Sequence, residues 1–169
     1  MKRLTLIRHA KSSWADPLLN DRDRPLNARG LRDAPLMGRI LQSKGLTPEC
    51  IISSPALRTR MTVEHLNLAC GSVPLTIDER LYAQGIQGLL SVIDELDETL
   101  SHVALIGHNP DLTQLLNTLA DETIQNLPTC ATASIVFEID SWTHILAGSG
   151  RLADYDYPKR HQGGIEPPY

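Results

Sequence analysis

Aromatic side chains are scarce in this sequence: Phe, Trp and Tyr together make up 4% of its 169 residues. A core must therefore be built from Leu, Ile, Val and Ala. Cysteine is sparse too. Cys50, Cys70 and Cys130 are far apart and odd in number, which argues against a disulfide framework, and no CxxC pair suggests a metal site. No apolar run approaches the roughly 20 residues a membrane-spanning helix requires. The start, MKRLTLIRHAKS, reaches Arg8 and His9 too early to read as a signal peptide. The expected compartment is a reducing cytoplasm. An excess of positive charge is also missing: Lys plus Arg number 16, Asp plus Glu 20, and the formal net charge is −4. That gives no overall field for drawing in nucleic acid, which wants a basic stripe. Any anionic ligand has to be held by a local cluster of cations. His65, His102, His144 and His161 show no ligand spacing and read as structural or surface residues, so no metal and no other cofactor is expected.

What is present is an ordinary globular composition, 41% hydrophobic and 21% charged, in a length that suits one domain over residues 1–169. Apolar runs at residues 4–7, 49–53, 73–77 and 102–106 read as strands. Helical periodicity follows the first, second and fourth of them, and a helix over 84–99 separates the third from the fourth. Asn27 is placed to cap a helix running towards Gly45, inside which Pro35 implies a kink or a later start. Ser54-Pro55 and Asn109-Pro110 each read as a cap followed by proline at the first helical position. Residues 133–139 and 143–147 are expected to form a late hairpin at a sheet edge. Residues 11–26 read as a long polar loop, in which Trp14 is either a packing anchor or part of a site rim. Residues 154–169, rich in Tyr, Pro and Gly, read as a loosely ordered tail. The alternation predicts an α/β fold: a three-layer α/β/α sandwich whose mainly parallel sheet has an antiparallel edge.

Three of these junctions carry unusual polar residues. The first strand ends in Arg8-His9. The second ends in Ser53-Ser54-Pro55, with Arg58 in the next helical turn. The fourth ends in Gly107-His108-Asn109-Pro110. Ligands of parallel α/β sheets bind at the carboxyl ends of the strands, so Arg8, His9, Arg58 and His108 are expected to face one crevice. Two guanidiniums can grip phosphate oxygens bidentately, and helix N-termini add N–H groups and a positive dipole end. One imidazole can attack phosphorus, and the second, if protonated, can stabilise charge on the equatorial oxygens. Arg60, two residues from Arg58, is expected to point away into solvent. Asp21, Arg22, Asp23 and Arg24 form a charged loop that is either simply solvated or close to the site.

At these positions the chain resembles the histidine phosphatase superfamily. The motifs are LIRHAKSSW at 6–14, with Ala10 where the family usually has glycine, RPLNARG at 24–30, SSPALRTRMT at 53–62 and IGHNPDL at 106–112. The resemblance implies a phosphoglycerate mutase-like fold and a metal-free reaction, and the short connections between the motifs leave no room for a large cap insertion. His9 would be the nucleophile that becomes phosphorylated, Arg8, Arg58 and His108 the phosphate pocket, and Ser12 a small polar residue near the phosphate. Water would discharge the phosphoenzyme. The family's carboxylate acids align with Ala83 and Asn109, so Glu79, four residues before Ala83, is the remaining candidate general acid. The combination RHAKSSW, SSPALRT and GHNP most resembles the short, SixA-type branch of protein phosphohistidine phosphatases, and an uncapped site without a clear acid suits a phosphorylated side chain on a protein. The alternatives are a phosphatase of small phosphate esters or a mutase-type phosphotransferase, and a binding module that holds phosphorylated partners without turnover. The expected partner is a phosphorylated protein or a small phosphate ester, with neither nucleic acid nor membrane. Nothing in the sequence indicates an oligomeric state.

Overall fold

The computed structural model describes residues 1–162. The strands are β1 (Lys2–Arg8), β2 (Cys50–Ser53), β3 (Leu75–Ile77), β4 (His102–Gly107), β5 (Thr132–Phe137) and β6 (Gly150–Asp156), in one sheet of order β3-β2-β4-β1-β5-β6. The first four are parallel; β5 and β6 are antiparallel and form the far edge. Four helices cover the faces: α1 (Ala28–Ser43), α2 (Leu57–Cys70), α3 (Gly85–Asp94) and α4 (Asp111–Ala120). This is the expected three-layer α/β/α architecture, and among the described residues no large insertion interrupts it.

Strand alternation sorts side chains between two cores. Leu4, Leu6, Val103, Leu105 and Ile135 pack with Leu89, Ile93, Leu112 and Leu116 of α3 and α4. Ile7, Ile51, Ala104 and Ile106 pack on the opposite face against Leu41 of α1 and Val63 and Leu66 of α2. Aliphatic residues dominate as expected, yet Trp142 and Phe137 are among the largest fully buried side chains.

Several boundaries differ from the sequence reading. α1 starts where Asn27 caps it, its side chain accepting from Gly30 N, and it runs through Pro35. α2 begins two residues after Pro55: Ser54 Oγ accepts from Ala56 N at 3.2 Å, which turns the chain before the helix. α4 likewise begins after Pro110. Residues 143–147 are not a strand. Trp142 is drawn under the sheet, its Nε1 donating to Leu100 O at 3.1 Å, and its neighbours form a 3-10 turn. The hairpin partner of β5 is β6, which takes residues 154–156 out of the expected tail. Residues 157–162 are ordered as well, with a 3-10 turn at Pro158–His161; only 163–169 of the expected loose tail lie outside the described residues. Trp14 is no packing anchor; it is 72% exposed, with the Arg24 guanidinium 3.6 Å above its ring.

Candidate active site

β1, β4 and β2 are neighbours in the sheet, so their carboxyl ends lie side by side. The turn after β1 is tightly held. His9 N donates to Gly107 O, Ala10 N donates to Thr62 Oγ1 at 2.9 Å, and Cys130 N donates to the Arg8 and His9 carbonyls. Ala10 is fully buried in that turn. The next residues close over it, Ser12 bridging to Leu26.

The arrangement brings His9, Arg58 and His108 together. The two imidazole centroids are 5.3 Å apart. Arg58 Nη2 donates to His108 Nδ1 at 3.2 Å. That fixes Nδ1 of His108 as the acceptor, so its Nε2–H donates to Ser54 Oγ at 2.8 Å. In His9, Nδ1 lies 2.7 Å from the Ala10 carbonyl oxygen. A carbonyl only accepts, so Nδ1 carries the proton and the lone pair sits on Nε2. Arg8 is anchored by Nη1 donating to Leu127 O at 2.7 Å, and its charge lowers the pKa of both imidazoles. Arg8 Nε and Arg58 Nε are buried without a hydrogen-bond partner among the described residues. Two orphaned guanidinium donors at one sheet end suit an oxyanion, whose oxygens supply the missing acceptors.

The electrostatics favour neutral rings. Burial pushes His9 down to about 3, against its bond to Ala10 and with help from His108, Arg58 and Arg8. Burial and then Arg58 push His108 down to about 4, while Asp21 pulls the other way. His108 is therefore uncharged in the ligand-free protein at neutral pH, a correction to the protonated form entertained from sequence. Burial lowers Arg8 as well.

The charged loop proves to be part of this neighbourhood. Asp21 accepts from Arg58 twice, through its backbone carbonyl and through Oδ2 at 3.0 Å from Nη2. The same Oδ2 accepts from Tyr82 Oη at 2.7 Å, and Oδ1 from Arg24. Burial alone would raise this carboxyl, but the hydrogen bonds from Tyr82 and Arg58 outweigh it and hold it down to about 2. Tyr82 packs edge-on to His108, centroids 5.4 Å apart. Sequence reasoning did not single out Tyr82 or Ser54 as site residues. The only signal for Tyr82 was its place beside Ala83, the position that aligns with a family acid.

Ser12 is buried, and its Oγ accepts from Arg24 Nη1 at 2.8 Å. Glu79 is exposed and paired with Arg22 at 3.0 Å, bonded to none of the four residues. Arg60 points away from the site, as expected, with Nε donating to Pro55 O. The three cysteines are free thiols. Among the described residues no cluster of His, Cys, Asp or Glu could hold a metal ion, and no helix is long and apolar enough to cross a membrane.

Comparison with known proteins identifies the family and the fold. An uncharacterised chloroplastic protein of Arabidopsis thaliana is 32% identical over 161 residues, covering 88% of this chain and 72% of the relative. An uncharacterised protein of Mycobacterium tuberculosis is 26% identical over 163 residues, 90% of this chain and all of the relative. Among solved structures, a protein of Agrobacterium tumefaciens assigned as the phosphohistidine phosphatase SixA superposes with a TM-score of 0.81 at 28% identity, over 93% of this chain and 98% of its own. The protein histidine phosphatase SixA solved with tungstate shares the fold, with a TM-score of 0.81 at 21% identity over 95% and 99% of the two chains. The family profile of the histidine phosphatase superfamily, branch 1, matches residues 4–89. With a family profile over half of its length and the phosphoglycerate mutase-like fold of the SixA structures, this chain belongs to the histidine phosphatase superfamily.

Proposed function

We propose that residues 1–169 act as a single-domain, metal-independent protein phosphohistidine phosphatase that works through a phosphorylated His9. His9 Nε2 attacks phosphorus, the N–P bond forms, and the bond to the leaving group breaks. Water then attacks the phosphoenzyme, releasing inorganic phosphate and returning the electron pair to Nε2. A depressed pKa keeps His9 unprotonated and nucleophilic at any physiological pH. Arg8, Arg58 and His108 hold the transferred group, and the guanidiniums supply the positive charge that a metal supplies elsewhere. Ser12 acts through Arg24 as a positioning residue. Free thiols suit a reducing cytoplasm.

The substrate class rests on one observation: among the described residues, none of the carboxylates around the crevice is placed to donate a proton. Ala83 and Asn109 stand at the family's acid positions, Glu79 is tied to Arg22, and Asp21 is held ionised. An alkoxide leaves poorly without a proton, and general acid catalysis is worth roughly 10²–10⁴ there. A phosphorylated imidazole takes a proton from solvent and leaves as a neutral ring. The name of the Agrobacterium tumefaciens neighbour points the same way.

The test is paired kinetics, in EDTA, on a phosphohistidine protein and an unactivated sugar phosphate. We expect a kcat/KM ratio of at least about 10² in favour of phosphohistidine. Glu79→Gln should leave it nearly unchanged. His9→Ala should abolish turnover, and label trapped from the wild type should be acid-labile and base-stable on His9. Equal or better use of the sugar phosphate, destroyed by Glu79→Gln, would replace this reading with a small-ester phosphatase.

A further inference from the structure

Arg8 faces more than the phosphate crevice. Together with Lys11, Arg29, Thr129, Tyr157 and Lys159 it lines an open cleft of about 280 Å³ between the end of β1, the start of α1 and the chain following β6. Four of the eight residues that line it are cations, in a protein of net charge −4. No carboxylate lines the cleft. Among the described residues Lys11 and Lys159 make no ion pair, and Arg29 reaches Asp33 only at 3.5 Å through Nε. Thr129 and Tyr157 add neutral donors. The cleft is also built rather than incidental. Asn27 N donates to Lys11 O at 3.0 Å, and Gly30, a residue without a side chain, lies directly against that carbonyl. The backbone of Lys11 is thereby fixed against the first turn of α1. Since Arg8 belongs both to this cleft and to the group of charges around His9, an anion in the cleft lies next to the phosphoryl site.

We propose that the cleft is a second anion subsite, binding an anionic group that the substrate carries beside the phosphoryl group attacked by His9. The shared chemistry is two anions a short distance apart, whether a second phosphate on a small molecule or a carboxylate flanking a phosphorylated side chain. The inference rests on the phosphatase reading of the crevice, but binding tests it without turnover.

Calorimetry would give Kd for orthophosphate and for imidodiphosphate, a hydrolysis-resistant pair of linked anions, at fixed ionic strength. Wild type should bind imidodiphosphate at least about tenfold more tightly, the equivalent of one charge-assisted hydrogen bond. Lys11→Ala/Lys159→Ala should lose most of that preference while orthophosphate Kd moves by less than about twofold. Arg39→Ala/Arg151→Ala, which removes two exposed charges elsewhere, should keep it. Phosphohistidine peptides with flanking Glu or Gln identify the source. A Glu preference that vanishes in the lysine variant assigns the second anion to a protein substrate, and a preference confined to imidodiphosphate assigns it to a small molecule. Absence of both preferences in wild type, or their survival in the lysine variant, overturns the subsite. Lysine-dependent binding without turnover or label on His9 leaves the subsite standing and removes the phosphatase reading.

Discussion

Asp21 joins three of the site's neighbours at one carboxylate. It accepts from Arg58, Tyr82 and Arg24, and Arg58 in turn donates to His108. Its charge therefore acts through Arg58, whose planar fork must be aimed before phosphate arrives. Asp21→Asn keeps the backbone carbonyl that accepts from Arg58 Nη1 but exchanges the charged acceptor for a neutral one. Arg58 is buried but Asp21 is half-exposed, so solvent partly screens the pair and the loss is modest. We expect kcat/KM to fall about tenfold, since a charge-assisted hydrogen bond becomes a neutral one. The loss should be equal for good and poor leaving groups, because a positioning residue does not protonate them. Steady-state kinetics across a leaving-group series checks this; a loss confined to poor leaving groups would make Asp21 the acid. Residues such as His9, Arg58 and His108 were legible in the sequence because each sits at a fixed offset from a strand end. Asp21 was not, beyond its place in a loop of uncertain proximity. Residues 11–26 have no hydrophobic period, and only the folded path of that loop, pinned by the Ser12–Leu26 bridge, brings Asp21 over Arg58.

At the scale of elements, the site depends on α2 presenting Arg58 at the right height above the sheet, and α2 is seated against α1. The crossing is close at Gly38. A Cβ there would lie 2.5 Å from the Leu66 carbonyl oxygen and 3.1 Å from Ala69 Cβ, so backbone would have to move. Helix propensity alone favours Ala over Gly by about 1 kcal/mol. Overpacking a tight interface costs typically 1–3 kcal/mol. The second effect should win: Gly38→Ala is expected to lower stability by about 1–2 kcal/mol, read by urea unfolding, and to weaken phosphate binding as α2 shifts. A stabilised variant would mean the two helices can separate freely. Parallel strands and the helices between them were readable from alternating apolar runs and caps. β6 was not, because GRLADYD mixes charges into its alternation, while THILA at 143–147 looks more like a strand than it is. Trp142 wins that competition by burying its ring, and Gly148, at φ +70°, turns the chain back so that β6 starts later.

Across the whole molecule, three imidazoles are folded in neutral form: His9 at about 3, and His102 and His108 at about 4, each through burial first. His102 sits at the opposite end of β4 from His108, its Nε2 bonded to Thr5 Oγ1 at 2.8 Å, so the effect is not confined to the site. In the unfolded chain these groups take up protons near pH 6.5. Between that pH and the folded values, the unfolded state binds more protons than the native state. Stability therefore rises with pH in this window: it is fully present above about pH 6.5 and is lost as pH falls towards 4. Each group contributes up to about 1.4 kcal/mol per pH unit. The carboxyl of Asp21, already depressed to about 2, adds its loss only at still lower pH. Tm should accordingly be level from pH 8 to about 7 and fall steeply between about 6 and 4. Inorganic phosphate supplies the test that separates the site from the rest of the molecule. A bound oxyanion favours the protonated form of His108, raising its folded pKa towards the unfolded one. Saturating phosphate should raise Tm and also flatten the acid slope by the share that His108 contributes, while the share of His102 remains. Thermal unfolding by circular dichroism at half-unit pH steps, with and without phosphate, reads both effects. A Tm that stays level down to pH 4 without phosphate would show that the imidazoles are not held neutral, and the nucleophile assigned to His9 would lose its electrostatic basis.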